Sequence, residues 1–464
     1  MFLGRDAELK RLNTLYESKK FECVVLHGRQ RIGKTTLIRE FIKNKNAIYF
    51  SSQETCIIEN RQNLINLVKA FDKDSAIDIK NNFDFDEIFE HIYKLARSQR
   101  VILIIDDYQL FAQGKRGITD LICNHINKHL RYSRLMLIIS GSSEPVMEKE
   151  VLSLDSPFYG WRTAQIKLLP FTFEEFRRYY SSYPLFDATI IYGMTGGVPK
   201  YINMMSSDLP IEDNIRRAFL NSDSFLLEEP INILRRVVRD PTYYNAVLKA
   251  IGSGNDKNSE IASAVGLDTA ACTAYLKNLI AMDIVEKHTP LLEKIGKKTI
   301  YEIEDSFFRF WYCFIPDNIS QIRIGAVSKI WRDIARTIPM YMYKTFLAIC
   351  RQWLSEQNSL GQLCFNAVEF GRWWGTIPVG NGSPNSKEIV SIPIVAYSDD
   401  DNVLFADGKW SEEPIDTEAL ESLIYRSRMF NYKNKFYYLF SCSGFTSDCI
   451  DLAEKHEVYL IELH

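Results

Sequence analysis

The stretch Gly28-Arg29-Gln30-Arg31-Ile32-Gly33-Lys34-Thr35 spaces two glycines, a lysine and a hydroxyl as G-x-x-x-x-G-K-[ST]. Glycines let a backbone curl tightly enough to aim successive N–H groups at a triphosphate. At this spacing Lys34 reaches the β- and γ-phosphates, and the Thr35 hydroxyl ligates Mg²⁺. Thr36 comes next, at the start of a helix whose N-terminus also favours negative charge. Downstream, Asp106-Asp107 ends an apolar run. Beside such a loop, one carboxylate holds Mg²⁺ through water and a second polarises the attacking water as general base. Asp106 is expected in the first role and Asp107 in the second. The expected ligands are ATP and Mg²⁺.

These side chains need a sheet edge to gather on. Residues 21–27 read as a short buried strand, and residues 36–42 as an amphipathic helix. Val101-Ile102-Leu103-Ile104-Ile105 is a continuous apolar run, as in a strand buried on both faces of a parallel sheet. The carboxyl end of such a strand is where α/β sheets hold ligands, and there the two aspartates lie. Two solvated acids capping a core strand would look the same in isolation. A third apolar run, residues 135–139, ends in Ser140-Gly141-Ser142-Ser143.

Composition narrows the class. The chain has 464 residues, enough for two to four domains. Its net charge is −3, so it is no global polycation of the kind that coats nucleic acid. No apolar run approaches a membrane span, and Met1-Phe2-Leu3-Gly4-Arg5 does not begin a leader. Nine cysteines are scattered without a C-x-x-C pair, the usage of a reducing compartment. A cytoplasmic protein without a membrane partner is expected.

Several motifs in order resemble the archaeal-type ATPases of the STAND/AAA+ group. Phe2-Leu3-Gly4-Arg5-Asp6-Ala7-Glu8-Leu9 is similar to that family's F-x-G-R-x-x-E-L box, which the resemblance sets near the adenine. Asp106-Asp107-Tyr108-Gln109 resembles its D-E-F-Q magnesium motif, and Ser156-Pro157-Phe158-Tyr159-Gly160-Trp161-Arg162-Thr163 its S-P-L-Y-G-R-R-T segment. Gly196-Gly197-Val198-Pro199-Lys200-Tyr201 resembles its G-G-x-P-[RK]-Y segment. The resemblance implies that Ser140, Ser142 or Ser143 senses the γ-phosphate, that Pro199 packs against the base, and that Arg162 neutralises γ-phosphate charge, often from a neighbouring subunit. A surface arginine near a turn, and an ordinary interhelical turn at Gly197–Pro199, are the plainer readings. Two positions depart from the pattern: Asp107 replaces a glutamate, and Trp161 replaces the first arginine.

The chain divides into an ATPase core over 1–170, a helical lid over 171–237, a winged helix with an aromatic linker over 238–320, and a C-terminal domain over 325–464. The winged-helix reading rests on helices at 243–253, 259–265 (with Ser259 as cap) and 269–282. Strands at 284–286 and 299–303 follow, with Lys294, Lys297 and Lys298 at the tip. DNA is a candidate partner there. The third helix, however, carries Lys277 and no arginine to read guanine, and an internal switch module is the competing role. Residues 305–314 form an aromatic stripe at core spacing.

The C-terminal domain resembles restriction-endonuclease-like (PD-(D/E)XK) domains, whose acidic residues on two adjacent strands hold Mg²⁺. The D-x-K half survives as Asp407 and Lys409, but Pro393 stands where the other aspartate belongs, and Leu347 replaces a supporting glutamate. Glu388 lies an odd number of residues from Pro393 and so points to the other strand face. The fold class expected is α/β: a P-loop NTPase with helical lid, winged helix and a restriction-endonuclease-like domain that has lost catalysis. The function expected is an ATP-hydrolysing switch, acting with a protein partner or a second copy. An ATP-gated nuclease and a nucleotide-loaded DNA-binding regulator are the alternatives.

Overall fold

The computed structural model describes residues 3–72, 80–142, 145–292, 298–378 and 387–463. Two compact units emerge: residues 1–170 with 198–200, and 171–197 with 201–464.

The first unit is built on β1 (Glu22–His27), β2 (Ala47–Ser51), β3 (Val101–Asp106), β4 (Leu135–Gly141) and β5 (Ala164–Lys167). All neighbours are parallel, in the order β2-β3-β4-β1-β5. β1, β3 and β4 are buried at every residue, which is why they read as unbroken apolar runs. Helix Phe85–Ser98 starts at a reciprocal cap between Asp84 and Glu87, and its buried Phe85, Ile88, Phe89 and Ile92 lie on one stripe. Helix Lys34–Phe41 begins two residues earlier than the apolar pattern suggests, so Lys34 and Thr35 belong to its first turn. β5 stops at Lys167. Leu168 N donates to His27 O at 2.7 Å and presses its own carbonyl toward Gly28, which bends the chain off the ladder.

The second unit opens with helices Phe173–Tyr179, Leu185–Thr195, Ile211–Phe219 and Phe225–Val237. Helices Thr242–Gly252, Asn258–Val265 and Thr269–Ala281 then lead into an antiparallel ribbon of β6 (Val285–His288) and β7 (Ile300–Ile303). Ser259 is not the cap of the middle helix. Lys257 holds that position without a side-chain bond, and Ser259 sits in the first turn. Lys294 and Lys297 lie outside the described residues. The aromatic segment forms helix Ser306–Phe314, whose Phe307, Phe308, Phe310 and Trp311 are buried.

Helix Ser328–Ser359 precedes a mixed sheet of β8 (Glu369–Pro378), β9 (Lys387–Tyr397), β10 (Asn402–Lys409), β11 (Asn434–Ser441) and β12 (Val458–Glu462). These follow one another across the sheet: β8, β9 and β10 are antiparallel, and β10, β11 and β12 parallel. Pro393 sits in β9 where the ladder lets it. The β8–β9 register shifts between Gly371 and Trp373, and the β9–β10 ladder ends at Ile394–Ala406. A residue with no N–H is tolerated at such a break. No helix among the described residues is long and apolar enough to cross a membrane.

Candidate nucleotide site

The P-loop leaves β1 and enters helix Lys34–Phe41. Gly28 takes φ 152° and meets the chain after β5 so closely that a Cβ would stand 2.5 Å from Leu168 O. Gly33 takes φ 98° and Arg31 φ 69°, the left-handed turns that curl the loop. Ile32 is buried beneath it. Arg29 and Gln30 lie on the half-buried shoulder, and Thr36 faces solvent. Lys34 is buried, and its Nζ donates to Gly28 O at 2.8 Å and Arg29 O at 3.0 Å. The ammonium thus rests on the carbonyls of its own loop.

Across β4, Asp106 ends β3. Thr35 Oγ1 donates to Asp106 Oδ2 at 2.9 Å. Tyr49, on β2, donates to the same oxygen at 2.7 Å. Burial, with the Asp106 carboxylate beside it, pushes the Tyr49 hydroxyl well above its usual pKa, so it stays a proton donor. A carboxylate and a hydroxyl held within hydrogen-bond distance at a helix N-terminus are the hard oxygen donors that Mg²⁺ takes. The residues therefore fit that ion, and Thr35 and Asp106 would hold it.

Asp107 departs from β3 in the left-handed region, at φ 52°, and caps helix Tyr108–Gly114. Its N–H donates to Asp106 Oδ1 at 3.1 Å, and Gln109 Nε2 donates to its Oδ1 at 3.3 Å. Ser140 lies level with Leu26 on β1, one residue short of the end of β4. Its hydroxyl is enclosed, with no hydrogen-bond partner among the described residues. Leaving such a group unpaired costs about 1–3 kcal/mol, so an incoming acceptor oxygen would be favoured there. Ser142 is buried as well, and Ser143 is outside the described residues.

The N-terminal box joins this edge. Arg5, at φ 67°, sends Nη2 to Leu169 O at 2.5 Å, while Phe2 is outside the described residues. Pro199 opens the short helix Pro199–Ile202 and belongs to Val198–Lys200, the later segment that groups with the first unit.

Arg162 does not gather here. The β1–β5 register, Val24–Ala164 to His27–Lys167, sets it level with Glu22, at the opposite edge of the sheet from Gly28. Six residues of strand, about 20 Å, separate the two levels. Its Nη1 donates to Leu152 O at 2.8 Å and Gln165 Oε1 at 3.2 Å. It is out of reach of a nucleotide on its own P-loop. Trp161 packs against the core of the sheet.

Tyr49 was not legible as a site residue, because only the sheet order puts β2 beside β3. Arg426 was missed too. From helix Thr417–Ser427 its Nη2 meets Asp407 Oδ2 at 2.6 Å and its Nη1 meets Ser391 O at 2.7 Å. Asp407, one step beyond the last β9–β10 pair and so level with Pro393, also accepts from Tyr343 at 3.1 Å. Lys409 is exposed, and Glu388 pairs across β8 with Ile377, away from Asp407. The exposed face of helix Thr269–Ala281 carries Thr269, Ala270, Thr273 and Ala274 with Lys277. On the ribbon, Glu302 is bound by Lys344 and Arg372, each at 3.0 Å, and Glu304 by Arg351 at 3.3 Å.

Comparison with known proteins agrees with this geometry. Residues 2–205 match a family model described as an ATPase domain predominantly from Archaea, and 311–421 one of archaeal and bacterial proteins of unknown function. The uncharacterized protein MJECL04 of Methanocaldococcus jannaschii is 30% identical over 414 residues, covering 89% of this chain and 88% of its own. An uncharacterized ATP-binding protein of the same organism, MJ0423, is 42% identical over 45 residues, 10% of this chain and 76% of its own. The Walker-type ATPase PABY2304 of Pyrococcus abyssi shares the fold with a TM-score of 0.53, at 18% identity over 67% of this chain and 96% of its own. With its P-loop, its parallel sheet order and a relative matched along nearly its whole length, this chain belongs to the archaeal ATPase family and is an ATP-binding P-loop ATPase.

Proposed function

We propose that the chain hydrolyses ATP at the β1–β3–β4 edge and acts as a nucleotide-dependent switch, with a C-terminal domain that is not a nuclease. The observation that carries the reading is the Thr35–Asp106 contact of 2.9 Å beside Lys34, which joins two sequence-distant motifs into one polar site. On ATP binding, Lys34 leaves the carbonyls of Gly28 and Arg29 for the β- and γ-phosphate oxygens, a stronger charge-assisted contact. The N–H groups of Arg29 to Thr35 and the start of the following helix take the remaining phosphate charge. Mg²⁺, held by Thr35 and Asp106, would neutralise the β- and γ-phosphates. Asp107, oriented by Gln109, accepts a proton from the attacking water, and the unpaired Ser140 hydroxyl donates to a γ-phosphate oxygen.

Pro199 would lie against the base, and its segment groups with the nucleotide unit while the chain on either side does not. That division supports a turn that reports occupancy to the lid. Arg162 would act in trans, on the nucleotide of a second copy, since its own P-loop is at the other edge of the sheet. The ion pair Arg426–Asp407 supports an inactive C-terminal site, because a guanidinium occupies the carboxylate that a metal would need. DNA reading has little support among the described residues: the ribbon carries paired glutamates, and the third helix one lysine.

Calorimetric titration of wild type and Lys34→Ala with ATP and Mg²⁺ tests the site. Heat of binding lost in the variant is expected; equal affinity would overturn it.

A further inference from the structure

A cavity of about 350 Å³ lies among the three-helix module, its ribbon, the aromatic helix and the long helix. That volume is within the range of small-molecule sites, about 300–1,000 Å³. Ile251, Ile303, Phe314 and Tyr341 give it apolar walls, and Arg309 brings a guanidinium to them. Arg309 Nη2 donates to Thr345 Oγ1 at 3.0 Å, and the group lies 5.3 Å from the Tyr341 ring centre. Its Nε is enclosed without a partner, and among the described residues it forms no ion pair. Glu302 also lines the cavity, but Lys344 and Arg372 already match its charge.

The guanidinium is buried and keeps its charge with help from Tyr341 and the carboxylate of Glu304, but its Nε has no acceptor, and an anion entering the cavity would supply one. Apolar walls around one convergent charge select a ligand with an apolar body and an anionic head. We propose that this cavity binds an amphipathic organic anion, its carboxylate, sulfonate or phosphate on Arg309 and its body against Ile251, Ile303, Phe314 and Tyr341. The ligand would touch four elements of the second unit and brace them against one another. This site is separate from the P-loop and does not depend on ATP hydrolysis.

The test uses two fluorescent probes on the full chain: 8-anilinonaphthalene-1-sulfonate and N-phenyl-1-naphthylamine, the same ring system without the sulfonate. Asp256, also on the lining, sets an opposing field, so the charge preference is the decisive reading. The sulfonate should bind one to one and about tenfold more tightly than the neutral probe, as one charge-assisted contact provides. Arg309→Met should abolish that preference while leaving the neutral probe unchanged. Met340, 75% exposed on the same lining, gives a second variant whose fold is secure: Met340→Trp should block both probes. Equal affinity of the two probes for wild type overturns the proposal. So does a sulfonate preference that survives Arg309→Met, or sulfonate binding that survives Met340→Trp. If Arg309→Met does not fold, the probe pair and Met340→Trp decide alone.

Discussion

Arg426 Nη2 and Asp407 Oδ2 stand 2.6 Å apart, with side chains 16% and 14% exposed. The Asp407 carboxylate is therefore a structural anion, tied to Arg426 on one side and to Tyr343 on the other. Removing one partner leaves the other charge largely buried and unpaired, which costs about 3–5 kcal/mol for a buried pair and less for one partly wet. Asp407→Ala should lower the unfolding free energy read from urea titration by up to that amount, and Lys409→Ala, at an exposed position, should not change it. Neither wild type nor variant should nick plasmid DNA with Mg²⁺ or Mn²⁺.

Tyr49→Phe removes one donor from Asp106 without changing the shape of the ring. A hydrogen bond to a charged group contributes about 1.5–3 kcal/mol, so the Mg²⁺ concentration for half-maximal turnover should rise about tenfold. ATP affinity without metal should hold. A metal requirement identical to wild type would show that Tyr49 only packs.

Arg162→Ala should bind ATP normally and lose turnover if the arginine serves a neighbouring nucleotide. Mixing it with Lys34→Ala tests the geometry directly. One shared interface then pairs an intact P-loop with an intact arginine, and activity should return in the mixture. No return across a range of ratios would restrict Arg162 to its bonds with Leu152 and Gln165.

Gly197 takes φ 70°, and a Cβ there would meet Phe171 O at 2.2 Å. Gly197→Ala should therefore cost more than the ~1 kcal/mol typical of a substitution, through both strain and overlap. Thermal unfolding would read this as a lowered midpoint.

The parts of the site legible in the sequence are those whose residues are neighbours in the chain. Gly28, Gly33, Lys34 and Thr35 share one turn, and Asp106-Asp107 follow their own strand, so spacing alone identifies them. Tyr49 and Arg426 act across strand and helix boundaries that spacing does not encode. Pro393 reads as awkward in a strand because the register break that accommodates it is a property of the pair β8–β9. Arg162 shows the same limit: a residue just before β5 carries no sign of which end of the sheet it lies at until the register of β5 with β1 is known.

In the proposed reaction the P-loop edge hydrolyses ATP and Asp107 takes the proton. Asp107→Asn keeps the shape and the bond to Gln109 but cannot accept that proton. ATP affinity and steady-state turnover, measured on the same preparation, separate the two roles. The account predicts affinity near wild type with turnover reduced about 10²–10⁴-fold, the usual contribution of a general base. Hydrolysis by Asp107→Asn at the wild-type rate would contradict it.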